Sequence, residues 1–479
     1  MTTLPKLLRA QAKANPAQPF LFFKDQTWTL SELDAASDGV AGVLHAAKLN
    51  KGDRVGILLP NCPEYVLCLF GIWKAGFVAV PINAQLKEPE IEHILKDSGC
   101  AFIFVDAARP KINANIKLRA MSAGAPKDGL LHELKGAIPE AADFDVASLI
   151  YTSGTTGFPK GAVLTHANYL FDVERFVEAI KMTEADRFLC FLPLFHVNGQ
   201  VVTLLSPLLA GGSMVLMERF QPKEFFELLS RHRCTAFSGV PSIYSVLLSL
   251  PDAAKYDLSS LRFCICGAAP MPVEVIRAFE EKFKAHILEG YGLSEATCVS
   301  SINPPPPGKR KAGSIGVSLK GQDMRITDGE IEVRGPNVMR GYWNNETATK
   351  SSLVDGWLKT GDLGSVDSDG YFYVIGRKKE MIIRGGENIY PKEIEEALYK
   401  HPAVAEAAVV GLPDKRWGEE VAAFIVLREG KTCTAKEITA HLKDKVADFK
   451  LPRRVEFLAS LPKTATGKIQ KLKLRGEYS

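Results

Sequence analysis

The sequence predicts an α/β protein in two unequal parts: a large N-terminal domain of several subdomains with layered sheets and helices, and a smaller C-terminal α/β domain. Three observations carry this prediction. The chain has 479 residues, more than one ordinary core holds. Helix-like and strand-like segments alternate through most of it, as layered α/β domains require. Its composition, 46% hydrophobic and 24% charged, is that of a globular protein.

The elements follow in order. TLSELDAASDGVAGVLHAA opens with a Thr/Ser cap and acidic residues, continues at helical spacing and leads into DRVGILLP, a short apolar strand. The longest apolar stretch, Val66 to Ile82, is interrupted by Lys74, two glycines and Pro81, so it reads as a buried helix running into a strand and not as a membrane span. The pattern repeats at GSMVLME followed by PKEFFELLSRHR, then at CTAFSGV, and at LRFCICGAA followed by PVEVIRAFEEKF. INPPPPGKRKAGSIG marks a surface loop, after which a β-rich section runs from ITDGEIEVRG to GYFYVIG. The boundary is expected at Gly376 to Lys379, where YFYVI ends in a charged GRKK, which divides the chain into 1–376 and 377–479. In the second part EIEEALYKHPAV reads as a helix, and AEAAVVGLP and VAAFIVLRE as strands.

The net charge of +4 hides an asymmetry: residues 376–479 carry 21 Lys and Arg against 15 Asp and Glu, the remainder 38 against 40. A basic tail part suits closure over polyanions, and a solvated basic face explains it equally well. Nucleic-acid binding lacks support, because no basic run is interleaved with stacking aromatics. Nine cysteines without a CxxC pair read as reduced, mostly buried thiols, and no His/Cys array accompanies Cys264 and Cys266 to make a metal site. The N-terminal stretch lacks a secretory apolar segment and GEYS matches no peroxisomal address, so a cytoplasmic location is the expectation.

The run YTSGTTGFPKG, Tyr151 to Gly161, follows the apolar VASLI and has the chemistry of a phosphate loop. Gly154, Gly157 and Gly161 let backbone N–H groups approach an anion, Thr152, Ser153, Thr155 and Thr156 add hydroxyl donors, and Lys160 supplies charge. A polar surface turn is the plain alternative. A Walker A loop is excluded, since Lys160 follows Pro159 and precedes Gly161.

Four more motifs occur downstream: EGYGLSE at 289–295, GWLKTGDLG at 356–364, GRKKEMIIRGGENIYPKEIEE at 376–396 and LPKTATGK at 461–468. With the loop, they resemble the acyl-adenylate-forming (AMP-binding) superfamily, which includes acyl-CoA synthetases, carrier-dependent adenylation domains and firefly luciferase, and the likeness covers nearly the whole chain. The resemblance implies a small mobile C-terminal domain hinged at Lys379. It also implies a ligase that uses ATP, Mg²⁺ and CoA to convert a small-molecule carboxylic acid into its acyl-CoA through acyl-AMP, releasing AMP and pyrophosphate. Such chemistry crowds negative charge, so a carboxylate for the metal, hydroxyls and a lysine are needed together.

By this likeness Glu295 orients Mg²⁺, Ser294 contacts phosphate in place of the usual threonine, and Tyr291 lies flat against adenine, with Glu289, Gly290 and Gly292 completing the nucleotide segment. On spacing alone, Glu295 reads equally as a buried structural acid. Thr152 joins Glu295 and Lys468 as a catalytic residue. Gly267, Ala268 and Ala269 form the turn against which adenine packs, where a larger side chain would block approach. Asp362 accepts from the ribose hydroxyls and Arg377 makes a second ribose or phosphate contact, although Asp in a TGD tripeptide also caps turns by itself. Lys468, on a Gly/Thr loop, bridges carboxylate and α-phosphate as a point charge.

A thiolate must then reach the same carbonyl, which Lys468 would obstruct. Rotation about Lys379 would swing Gly385, Gly386 and Glu387 over the site, the glycines lining a tunnel for pantetheine. Trp417 and Phe449 match positions that pack on the CoA nucleotide in aryl-CoA ligases. Leu451 falls where some relatives carry a basic residue, and Arg453 or Arg454 could compensate. The acyl pocket is implied to come from His196, Val197, Asn198, Gln200 and Val201 and from Phe237, Gly239, Val240 and Tyr244. His196 resembles the gating aromatic position; alone it reads as a packed core histidine. Neither segment contains Lys or Arg, so a second carboxylate would lack a partner, and neither contains an acid to meet an amino group. The expected substrate is a monocarboxylic acid, fatty or aromatic.

The alternative is an adenylating enzyme that loads a separate carrier protein, against which Trp417 and Phe449 favour free CoA. A non-catalytic relative would have lost Lys468, Glu295 or Asp362, and all three are present. A homodimer is compatible with this reading. DMRITDGEIEVRG, at 323–335, is short for the family and predicts a trimmed surface hairpin.

Overall fold

The computed structural model describes residues 3–109, 116–125, 145–152, 159–250, 253, 255–464 and 467–479. Near its start, the helix Leu30–Ala46 is fixed by a capping box: Thr29 Oγ1 accepts the Glu32 N–H at 3.3 Å, and the Glu32 carboxylate accepts the Thr29 N–H at 2.8 Å. It packs against the buried helix Pro63–Lys74, where Gly71 permits the contact, since a Cβ there would lie 2.5 Å from Val40 Cβ. Lys74 ends that helix inside the protein, its Nζ held by Asp34 at 2.5 Å and Asp38 at 2.6 Å.

Among the described residues, two large sheets build the N-terminal part. A six-stranded sheet runs in the order Lys117–Met121, Cys100–Asp106, Arg54–Leu58, Val78–Pro81, Val146–Thr152 and Lys160–Thr165. Trp73 Nε1 donates to the Ala147 carbonyl at 2.8 Å and so ties the buried helix to the strand Val146–Thr152. A nine-stranded sheet has a parallel centre made of Ser213–Leu216, Arg187–Cys190, Ala236–Gly239, Phe263–Cys266 and His286–Tyr291. Four of these strands end at Cys190, Gly239, Cys266 and Tyr291, and the turns beyond them open onto one cavity, as ligand sites in parallel sheets do.

A third sheet joins Asp323–Thr327, Glu330–Arg334, Leu353–Val354, Trp357–Val366 and Phe372–Arg377. The hairpin at 323–334 is closed by only Asp328 and Gly329, both left-handed (φ 50° and 77°), a turn that matches strand twist. After Arg377 the chain turns at Lys378–Glu380 and enters a fourth sheet, Ile382–Arg384, Glu387–Ile389, Val404–Asp414, Gly418–Leu427 and Arg454–Phe457. Helices Pro391–Tyr399 and Ala435–Lys443 cover it over a core that includes Ile394, Leu398, Val409, Ala423 and Ile438. Eight of the nine cysteines are buried, the ninth, Cys433, half-buried.

Candidate active site

The cavity that meets the parallel strand ends has a volume of about 1290 Å³, and the C-terminal part forms one of its walls. Thr152 ends the strand Val146–Thr152 and pairs in register with Lys160, so the antiparallel hairpin brings both to the cavity. Ser153, Gly154, Thr155, Thr156 and Gly157 lie outside the described residues. Thr152 Oγ1 donates to Glu295 Oε1 at 3.3 Å, and Tyr342 Oη donates to the same oxygen at 2.8 Å. Lys160 Nζ stands 5.5 Å from the Tyr342 ring centre, so a cation, two hydroxyls and a carboxylate meet at one place.

The segment that carries Glu295 is held by close backbone approach. A Cβ at Gly292 would sit 1.6 Å from the Cys298 carbonyl oxygen, so no other residue fits there. Just after the short turn Ser294–Ala296, the fully buried Thr297 has φ 65°, a strained conformation for a β-branched residue, and its Oγ1 anchors it to the Asn337 carbonyl at 2.6 Å. Behind the same segment Asp172, fully buried, accepts the Val299 N–H at 3.0 Å. Burial pushes its carboxyl well above the usual range.

Strand register makes the second cluster. Asp362 on Trp357–Val366 lies opposite Arg377 on Phe372–Arg377, and Arg377 Nε donates to Asp362 Oδ1 at 2.8 Å. Tyr291 Oη donates to Asp362 Oδ2 at 2.7 Å, which satisfies a carboxylate that is only 4% exposed. Gly267, Ala268 and Ala269 follow the strand Phe263–Cys266 onto the cavity wall, with Ala268 left-handed at φ 66°. Gly290, Gly292 and Ser294 line the cavity with Tyr291. Glu289 joins them, accepting the Gly313 N–H at 2.7 Å, and burial pushes its carboxyl up to about 8.

Lys468 reaches this cavity from the end of the chain, placed by Gly467 (φ 83°), whose carbonyl accepts from Ser242 Oγ at 3.1 Å. Burial is the larger cause, and the Arg377 charge the second, of a Lys468 ammonium lowered to about 8. Lys379 is lowered as well, again chiefly by burial.

The proposed acyl segments divide. His196, Val197, Asn198, Gly239 and Val240 line the cavity, and burial lowers His196 to about 4, so it is neutral near pH 7. Gln200, Val201, Phe237 and Tyr244 do not. Gln200 is fully buried, accepting from Tyr169 Oη at 2.8 Å and donating to the Leu194 carbonyl. Val201 and Phe237 are core residues, and Tyr244 Oη donates to the Ile265 carbonyl at 2.7 Å. Gln200, Val201 and Tyr244 are turned inward by their positions around helical turns, and Phe237 lies deeper along the same strand face as Gly239, which reaches the cavity because it ends the strand. Phe176, Leu192, Val202, Cys298 and Val299 complete the apolar wall instead. Among the described residues, the cations lining the cavity are Lys160, Lys359, Arg377, Lys378, Lys379, Lys392, Lys468 and Lys471, none of them from the acyl segments.

Gly385, Gly386, Glu387, Trp417 and Phe449 lie outside the cavity. Gly385 donates its N–H to the Trp417 carbonyl at 2.8 Å, and Arg384 and Arg416 stack over the Trp417 ring at 5.0 and 4.7 Å. Phe449 packs at the edge of the C-terminal core. Sequence reasoning missed Tyr342, Asp172 and Lys471. Lys471 lines the cavity and pairs with Glu395 at 2.7 Å, and only the repeated lysines after LPKTATGK hinted at it.

Residues 8–343 match the family model described as AMP-binding enzyme, and residues 393–468 match that of the AMP-binding enzyme C-terminal domain. The chain is 36% identical, over an alignment 532 positions long, to a long-chain-fatty-acid–CoA ligase of Bacillus subtilis (strain 168), covering 99% of this chain and 94% of the relative. It is 38% identical over 466 residues to a feruloyl-CoA synthase of an Amycolatopsis species, covering 94% of each. Among solved structures, the anthranilate CoA ligase AuaEII in complex with anthranoyl-AMP superposes with a TM-score of 0.92 at 30% identity, covering 99% of this chain and 97% of the other. The o-succinylbenzoate CoA synthetase of Bacillus subtilis, in complex with its acyl-adenylate intermediate, gives 0.86 at 34% identity, covering 99% of each.

Proposed function

The chain belongs to the AMP-binding enzyme family, and on that premise we propose that it is an ATP-dependent, AMP-forming acid:CoA ligase whose acid carries an uncharged fatty or aromatic tail. The observation that carries this reading is the convergence on one cavity of Lys468, the Asp362–Arg377 pair, Glu295 with its hydroxyl donors, and an apolar wall without cations.

The residues divide the work by charge. Lys468 and Lys160 are the cations that attract the phosphates and the incoming carboxylate, and Asp362, held by Tyr291 and Arg377, presents oxygens to the ribose. The residues fit Mg²⁺: Glu295 is a carboxylate on the cavity, and this ion commonly takes one or two carboxylates plus substrate phosphates. When bound, Mg²⁺ would neutralise phosphate charge. Fixed cations and donors aimed at developing charge in a closed site are the largest source of rate in such chemistry.

With Lys468 in the cavity and the Gly385–Glu387 turn outside it, this arrangement suits the adenylation half-reaction. We read Gly376–Lys379 as the boundary and Lys379 as the pivot about which the C-terminal part exchanges Lys468 for that turn, with Trp417 and Phe449 receiving CoA. The relatives named as CoA ligases favour CoA over a carrier protein as acceptor. One relative, 37% identical over an alignment 499 positions long, is a sulfoacetate–CoA ligase of Cupriavidus necator, so likeness alone does not choose the tail, and the preference for an uncharged one rests on the apolar wall of this cavity. The test is hydroxamate trapping of acyl-AMP across fatty, aromatic and anionic-tailed acids, sulfoacetate included, with and without CoA. Fatty or aromatic acids should give hydroxamate and sulfoacetate none; the reverse order sinks the substrate reading.

A further inference from the structure

We propose that Lys392 is a positioning residue that holds the C-terminal part in the arrangement competent for adenylation. The proposal rests on the reading above of two half-reactions in one cavity. Lys392 belongs to the first turn of the helix Pro391–Tyr399, yet its Nζ donates at 2.6 Å to the main-chain carbonyl of Val374, on the other side of the Lys378–Glu380 turn. Its side chain is only 15% exposed. A cation in the first turn of a helix opposes the helix dipole, and its local i,i+4 pair with the half-exposed Glu396 offsets that only weakly. The bond that leaves its own helix is the one to Val374: Nζ meets that carbonyl across the cleft, whereas Glu396 at 3.4 Å is its i,i+4 neighbour on the same helix.

The helix and Lys468 move together. Ile394 and Leu398 pack into the same core as Val409 and Ala423, and Lys471, three residues after Lys468, pairs with Glu395 of this helix at 2.7 Å. Any rotation that withdraws Lys468 from the cavity therefore breaks the bond from Lys392 to Val374, and re-forming that bond returns Lys468. A second contact, from Ser242 Oγ to the Gly467 carbonyl, is neutral and weaker. Lys392 is thus the charged latch of one pose, acting on the first half-reaction and not on the second.

The test compares the wild type with Lys392→Met and Lys392→Arg in two assays: pyrophosphate exchange into ATP with an accepted acid, and CoA thioester formation from synthetic acyl-AMP. Lys392→Met should lower exchange about tenfold, the size of one charged hydrogen bond, while thioester formation stays within about twofold. Lys392→Arg should restore most of the exchange. Independently of turnover, trypsin should cut the Lys378–Lys379 turn several-fold faster in Lys392→Met than in the wild type. Equal losses in both assays, or unchanged exchange and unchanged cleavage, overturn the proposal; if Lys392→Met does not fold, Lys392→Gln takes its place. A wild type that exchanges pyrophosphate with no acid would instead sink the ligase reading, and the trypsin comparison would still decide the latch.

Discussion

Replacing Tyr342 by Phe removes one atom and tests the Glu295 cluster directly. Tyr342 Oη donates at 2.8 Å to the oxygen that Thr152 reaches only at 3.3 Å, so the variant leaves Glu295 Oε1 with the longer bond. A hydrogen bond to a charged group contributes about 1.5–3 kcal/mol net. Tyr342 is half-buried and water can replace its hydroxyl while the cavity is empty, so the lower end applies. When ATP fills the cavity, that water leaves and the missing donor is felt. The expected outcome is roughly a tenfold fall in kcat/KM for ATP in pyrophosphate exchange, since about 1.4 kcal/mol is a factor of ten. Thermal melting should barely change. An unchanged kcat/KM, or an equal fall in thioester formation from supplied acyl-AMP, would refute the role given to Glu295.

Two further outcomes follow from buried charges. Lys468 is lowered to about 8, so it is an ammonium below that pH and a neutral amine above it; kcat/KM for ATP in exchange should hold level near pH 7 and fall about tenfold per unit above pH 8. Lys468→Arg should remove this alkaline fall from the measured range, and a fall that persists assigns it elsewhere. Glu289, pushed up to about 8, is protonated at pH 7, so Glu289→Gln should keep the Gly313 contact and leave the KM for ATP within about threefold. An acid whose folded pKa lies above its unfolded value loses stability as pH rises from about 4 to 8, because unfolding then releases a proton. Glu289→Gln should therefore melt above the wild type at pH 8, with the gap closing toward pH 4; a variant that melts lower at pH 8 contradicts this.

The alternation of helices and strands was legible because apolar periodicity and caps are local: the Thr29–Glu32 box, the buried run from Val66 to Ile82, and the strand ends at Gly239 and Cys266 all lie where sequence patterns put them. Lys468, Asp362 and Arg377 were legible as motif residues, and the register that pairs Asp362 with Arg377 explains why two separated motifs make one cluster. Which residues of an element reach the cavity was not legible, because depth along a strand and rotation around a helix decide it. Phe237 and Gly239 share a strand, but Phe237 packs into the core and Gly239 lines the cavity, and Gln200 turns inward to Tyr169. Tyr342 escaped because GYWNNE carries no signal of its own. It reaches Glu295 only because the chain bridges Ala162 and the Trp343 N–H meets the Gly161 carbonyl, a long-range pairing no local pattern reveals.

The claim that one cavity serves two steps with exchanged lids is tested most directly by Lys468→Ala. Acyl-AMP formation from acid and ATP is expected to fall to background, while the same preparation converts supplied acyl-AMP and CoA to thioester at close to the wild-type rate. Equal loss of both steps, or survival of the first, would contradict it.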